Sequence, residues 1–184
     1  MLRGPKWRDS EQGDLLMKQP TIDDVPVAYT PAGGWTEWPP PVLAGCVEPL
    51  PEDAPDLRGI WQVVEVFVEG EAVARHPALG RVTRKEQAGD RIVITGSGII
   101  HDMRCDGTLD NGVHDVAAAD FTSPVHVVAT YEDGVHVLRP DGADLEVMRW
   151  RESDDLMWQY VGFTARMRRL GPPEANPNEL LEAS

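Results

Sequence analysis

Residues 56–70 read DLRGIWQVVEVFVEG. Along a strand, side chains alternate between two faces, so Trp61, Val63, Glu65, Phe67 and Glu69 share one face and Ile60, Gln62, Val64, Val66 and Val68 the other. Both sets are largely apolar. Two accounts fit: the face of Val64, Val66 and Val68 is buried and the other solvated, or both faces are covered, one by a packed interior and the other by a separate segment. Under the second account Glu65 points inward as a polar anchor or outward beneath the cover.

The surrounding region, residues 57–170, consists of short extended segments divided by turn signals. Strands are expected over 59–69, 80–86, 91–95, 98–105, 113–118, 125–131, 134–138, 145–151 and 156–169. Their separators include YEDGV, RPDGAD and DGTLDNG, whose Asp-Gly and Asn-Gly steps allow positive φ at little cost. No stretch of ten residues there has helical periodicity. Mostly antiparallel strands with tight turns leave two sheet edges, which closure into an up-and-down barrel removes. The expected fold is therefore an all-β antiparallel up-and-down barrel of about 8–9 strands, with a two-sheet sandwich as the alternative.

The flanks differ in composition. Ten of the 16 prolines fall in residues 1–56, which excludes long regular elements there. Trp7, Tyr29, Trp35 and Trp38 lie in the same segment, so it is read as a Pro-rich N-terminal extension of which residues 20–50 pack on the following domain or cap it, with a mobile arm as the alternative. Residues 57–170 form the barrel domain in this division, and residues 171–184 an acidic tail with at most one helical turn.

A formal net charge of -14 disfavours nucleic acid and anionic membrane as partners. It also gives a neutral or cationic guest a slight preference, which Arg104 and Arg149 could reverse locally. Cys46 and Cys105 are far apart and do not form a disulfide framework or a zinc motif. The N-terminus lacks an apolar signal core and no apolar run approaches membrane-spanning length, so a cytoplasmic protein is the expectation. No metal is expected, since histidine spacings such as H-x-H and H-E-x-x-H are missing. Ser97 in TGSGI lacks nucleophile-elbow spacing, and Cys105 reads as a buried thiol.

In the strand 98–105, Ile99, His101, Met103 and Cys105 share a face apolar enough to be interior. Further histidines stand at 114, 126 and 136, one in each of three successive strands. Between 150 and 163 the aromatics Trp150, Trp158, Tyr160 and Phe163 form stripes that fill a core or line a pocket. The candidate ligand-binding set is Glu65, Phe67, His101, Met103, His126, His136, Trp158 and Tyr160, and among these Glu65, His101 and Tyr160 are the candidates for acid, base or enolate-holding roles.

With Gly59-Ile60-Trp61 opening the first strand and Arg166 in FTARMRRL near the end of the last, the chain resembles the calycin superfamily of lipocalin and fatty-acid-binding barrels. The resemblance covers residues 57–170. It implies that Trp61 closes the barrel base with Arg166 packed across its ring, both residues structural. The chain departs from the family in having no helix-turn-helix lid between the first two strands and in its long Pro-rich N-terminal segment. Calycin-like barrels serve several functions, so the fold alone does not choose one.

The reading that follows is a protein enclosing a small, largely apolar or aromatic molecule, with no cofactor. A cofactor-free enzyme such as a cyclase, isomerase or lyase could use the same chamber. Haem binding through one histidine is a further alternative, as is a solid barrel that acts through protein contacts, for example as a homodimer.

Overall fold

A computed structural model describes residues 19–183. In chain order its elements are β1 (Gly59–Val68), β2 (Glu71–Ala72), β3 (Val82–Ala88), β4 (Arg91–Gly96), β5 (Ile99–Arg104), β6 (Val113–Val116), β7 (Pro124–Glu132), β8 (Val135–Pro140), β9 (Val147–Glu152), β10 (Asp155–Tyr160), β11 (Phe163–Gly171) and the helix α1 (Pro177–Glu182). The strands pair in the order β5-β4-β3-β1-β11-β10-β9-β8-β7-β6, with the two-residue β2 beside β1. Every ladder is antiparallel.

This is a nearly closed barrel of ten strands in up-and-down meander order, and it corrects the expected count of 8–9. The residues read as one strand from 156 to 169 form a hairpin. Gly162 adopts φ 81°, a left-handed conformation that glycine reaches without a Cβ clash, and the chain reverses so that Tyr160 pairs with Phe163.

The order ends on β5 and β6, which form no ladder with each other. Individual bonds close this seam: the Arg104 amide donates to the Asn111 carbonyl at 2.8 Å, and the His101 ring nitrogen Nε2 lies 3.1 Å from the Val116 carbonyl. Nearby, Asp106 forms an isolated bridge with Thr130.

A register shift in β1 resolves its two apolar faces. Val63 is opposite Met167 and Glu65 opposite Arg166, with the irregularity between them. Such a bulge reverses the sense of alternation. Trp61 and Val63 face the interior before it and Val66 after it, and all three belong to the main core. Glu65 is thereby turned outward, where it ion-pairs with Arg166 at 3.1 Å.

Trp61 is completely buried. Its indole N–H donates to the Leu57 carbonyl at 2.8 Å. The cation over its ring is Arg151, with the guanidinium carbon 4.9 Å from the ring centroid. This replaces the expected Trp61–Arg166 clasp: Arg166 lies on the outer face of β11, paired with Glu65 and Asp155. Arg151 comes from β9 and also donates to the Asp56, Asp155 and Ser153 carbonyls, so it joins the barrel base to the incoming chain.

Residues 22–48 lie outside the wall of β3, β4 and β5. Ile22, Leu43, Ala88, Val93 and Ile100 form a second core there, with Val25, Ala28, Trp35, Val42 and Cys46 against it. Without strands of its own, this segment satisfies its backbone on side chains of the wall. Glu86 accepts from the Leu43 amide at 2.7 Å, Arg84 donates to the Pro39 carbonyl, and Arg91 donates to the carbonyls of Ile22, Val25 and Pro26. Thr30 spans the seam: its hydroxyl accepts from the Ile100 amide and its own amide donates to Asp115. Trp7 and the rest of residues 1–18 lie outside the described residues.

Candidate functional site: a basic row inside the barrel

Three strands bring a polar row into the apolar interior. His136 on β8 stands opposite Arg149 on β9, which stands opposite Trp158 on β10. All three have the parity of core residues, since Leu138, Val147 and Leu156 lie on the same face of their strands. Neither ring nitrogen of His136 has a hydrogen-bond partner, nor do Arg149 Nη1 and Trp158 Nε1. His136 is 0% exposed. The Arg149 guanidinium carbon is 5.9 Å from the Trp158 ring centroid, and the His136 ring is 5.7 Å from that of Tyr131.

A third basic side chain reaches the interior from β3. Lys85 is buried; its ammonium nitrogen Nζ donates to the Thr83 hydroxyl at 2.6 Å and lies 4.0 Å from the Met167 sulfur. Among the described residues no carboxylate hydrogen-bonds to or ion-pairs with Lys85, His136 or Arg149. Burial, and then the Arg149 charge, pushes the Lys85 ammonium well below its ordinary value. Burial, then Arg149 and then Lys85 push His136 down in the same way. Burial lowers Arg149 itself to about 10, which leaves the guanidinium charged at neutral pH.

The floor of this volume is neutral. The Gln87 amide donates to the Tyr131 hydroxyl at 2.9 Å and to the Pro55 carbonyl, while its oxygen accepts from the Leu57 amide. Burial raises the Tyr131 phenol, and it raises the Cys105 thiol to about 12. Both therefore stay protonated, and Cys105 is an inert thiol rather than a nucleophile. At the other end Tyr160 is half exposed, its ring 5.5 Å from Trp158 and 5.8 Å from Phe163, with Phe163 against His76.

Of the residues singled out from sequence, Met103, His136 and Trp158 face the interior, and Tyr160 stands on its rim. His101 lies at the β5/β6 seam. The parity of β1 and β7 places the others outside. Glu65 faces outward, so it is not an interior anchor; Phe67 follows Val66 on the outer face; and His126 pairs with His114 across exposed ring nitrogens 2.8 Å apart. The described residues contain no group of three or more His, Cys, Asp or Glu able to hold a metal. None of their helices is long and apolar enough to cross a membrane.

Sequence reasoning missed Lys85. In VTRKEQA both faces of β3 are polar, which reads as a solvated strand. In the structure Arg84 and Glu86 serve the outer segment while Lys85 and Gln87 point in. The signal was the position of such a strand between two apolar ones, β1 and β4.

Two clefts open outside the barrel. One, of about 310 Å³, lies between residues 22–29 and β5 with the loop before β6. The other, of about 620 Å³, lies at the base among Asp56, Arg58, Arg151, Asp154, Arg169 and Glu174. The basic row lines neither.

No family model matches the chain, and no curated protein matches it. Among solved structures it is similar to human cRBP IV, at 16% sequence identity over 62% of this chain and 98% of that one, with a TM-score of 0.47.

Proposed function

We propose that the barrel binds a small molecule with an apolar body and an acidic group, the acid seated on Arg149, His136 and the Trp158 indole. One observation carries this reading: a buried row with unpartnered nitrogens on all three residues and no carboxylate to answer its charge. Buried polar atoms nearly always have partners, and an uncompensated buried charge is costly. A guest carboxylate would supply both the missing acceptors and the missing negative charge. Apolar walls from Val63, Ile94, Met103 and Leu138 would take the rest of the guest. This reverses the preference for neutral or cationic guests drawn from the net charge, because the ionisable side chains of the interior row are basic and, among the described residues, no carboxylate pairs with them.

The reading distinguishes head groups on one tail. Titration calorimetry with dodecanoate, dodecanol and dodecylamine should give binding of dodecanoate in preference to the other two. Charged hydrogen bonds contribute about 1.5–3 kcal/mol, so Arg149→Met should weaken dodecanoate by about tenfold or more and leave dodecanol nearly unchanged. Equal affinity for the acid and the alcohol, or no binding of either, would sink the reading.

A further inference from the structure

The chain has three lysines, at 6, 18 and 85, and Lys85 is the sole one among the described residues. Elsewhere in the barrel the cations are arginines. Yet this lysine occupies a position 1% exposed, where an ammonium with three donors finds one hydroxyl and one thioether sulfur. A structural cation at this place would be poorly served, since burial without a carboxylate removes hydration and supplies no counter-charge. A neutral amine suits the place much better. It needs fewer partners, and its lone pair makes it a nucleophile.

We propose that Lys85 captures an aldehyde or ketone carried by an apolar guest, holding it as an imine. The inference rests on the reading of the interior as a binding chamber. Nζ attacks the carbonyl carbon and forms a C–N bond while a proton moves from nitrogen to oxygen, giving a carbinolamine. The nitrogen lone pair then forms the C=N bond as the C–O bond breaks, the second nitrogen proton is lost, and the hydroxyl departs as water. Amine and carbonyl thus yield imine and water with no change in oxidation state. The Thr83 hydroxyl, 2.6 Å from Nζ, is placed to orient the amine and relay a proton. Arg149 keeps the site unfavourable to ammonium formation, while Val63, Met167 and Leu156 keep it apolar.

The test uses the full chain at pH 7 with decanal and sodium cyanoborohydride, which reduces an imine to a stable secondary amine, followed by peptide mapping. An ordinary lysine with a pKa near 10.4 is neutral in roughly one molecule in 2,500 at this pH. Lys85 should therefore be alkylated at least about tenfold faster than Lys6 and Lys18. In Lys85→Met the adduct at this peptide should vanish while labelling at positions 6 and 18 continues, and circular dichroism checks that the variant is folded. Dodecanoate binding, measured on the same preparation, separates the two proposals. If dodecanoate binds and the label falls on Lys6, Lys18 or the N-terminal amine instead of Lys85, carbonyl capture is overturned and acid binding stands. A Lys85 adduct without dodecanoate binding supports capture and removes the acid reading. Neither binding nor adduct removes both.

Discussion

His136 is surrounded by influences that oppose its protonation: complete burial first, then the Arg149 charge, and Lys85 whenever that amine is protonated. In the unfolded chain its imidazole takes a proton near the ordinary value of 6.5. Below that pH the unfolded state binds a proton that the folded state refuses, so stability is full above 6.5 and falls as pH drops. One such group contributes up to about 1.4 kcal/mol per pH unit. His101 adds in the same direction, because burial also lowers its value although the bond to the Val116 carbonyl works against that. Urea unfolding at a series of pH values from about 7.5 to 5 should show this slope, and His136→Phe should make it shallower. The same slope in both proteins would mean that His136 is not held neutral. Dodecanoate should also flatten the wild-type slope, since a carboxylate beside His136 restores the charged form.

One arginine makes most of the side-chain bonds to the segment over residues 22–28, beside the Asp23–Arg104 ion pair. Arg91 forms a forked pair with Asp102, at 2.9 and 2.7 Å, with side-chain exposures of 4% and 1%, while its remaining donors serve three carbonyls of the segment. Asp102 in turn accepts from the Ala28 amide. Breaking a buried pair by removing one partner costs about 3–5 kcal/mol, so Arg91→Ala should lower stability by that order and make limited proteolysis begin within residues 20–35. Arg91→Lys keeps the charge without the fork and should lie between; if it matches wild type in both measurements, the segment is held by its apolar contacts instead. The strands that carry these bonds were largely legible from alternation and Asp-Gly turns, and parity placed Met103 of β5, with Cys105 just after the strand, toward the interior. Two local events were not legible. The bulge after Val63 reverses the faces of β1 without any glycine or proline to announce it, and it decides that Glu65 is a surface partner of Arg166. In β3 both faces are polar for different reasons, so the lysine of the candidate site is hidden among residues that bind the outer segment. Arg151 over Trp61 depends on barrel closure and cannot be read from either strand alone.

Taken around its circumference, the barrel is continuous except between β5 and β6. β1 sits between β3 and β11 and is paired with both, while β5 pairs only with β4 and β6 only with β7. The seam is bridged instead by isolated bonds from His101, Arg104 and Thr30. Opening it breaks few bonds and uncovers interior next to Met103, so a guest of the kind proposed should enter there. Local openings follow the local density of packing and pairing, so hydrogen exchange should be fastest, among the strands of the barrel, at the β5 and β6 amides and slowest in β1 and β11. Arg91→Lys should speed exchange in β5, because Arg91 holds the segment whose Thr30 reaches across to Asp115. Occupancy by dodecanoate should slow exchange at the seam more than at the β1/β11 ladder, since openings that let the guest pass are disfavoured once it is bound. Uniform protection around the barrel, or an exchange pattern in which β1 and β11 open as readily as β5 and β6, would show that the seam is not the weak point and that guests come in past Tyr160 and Phe163 at the rim.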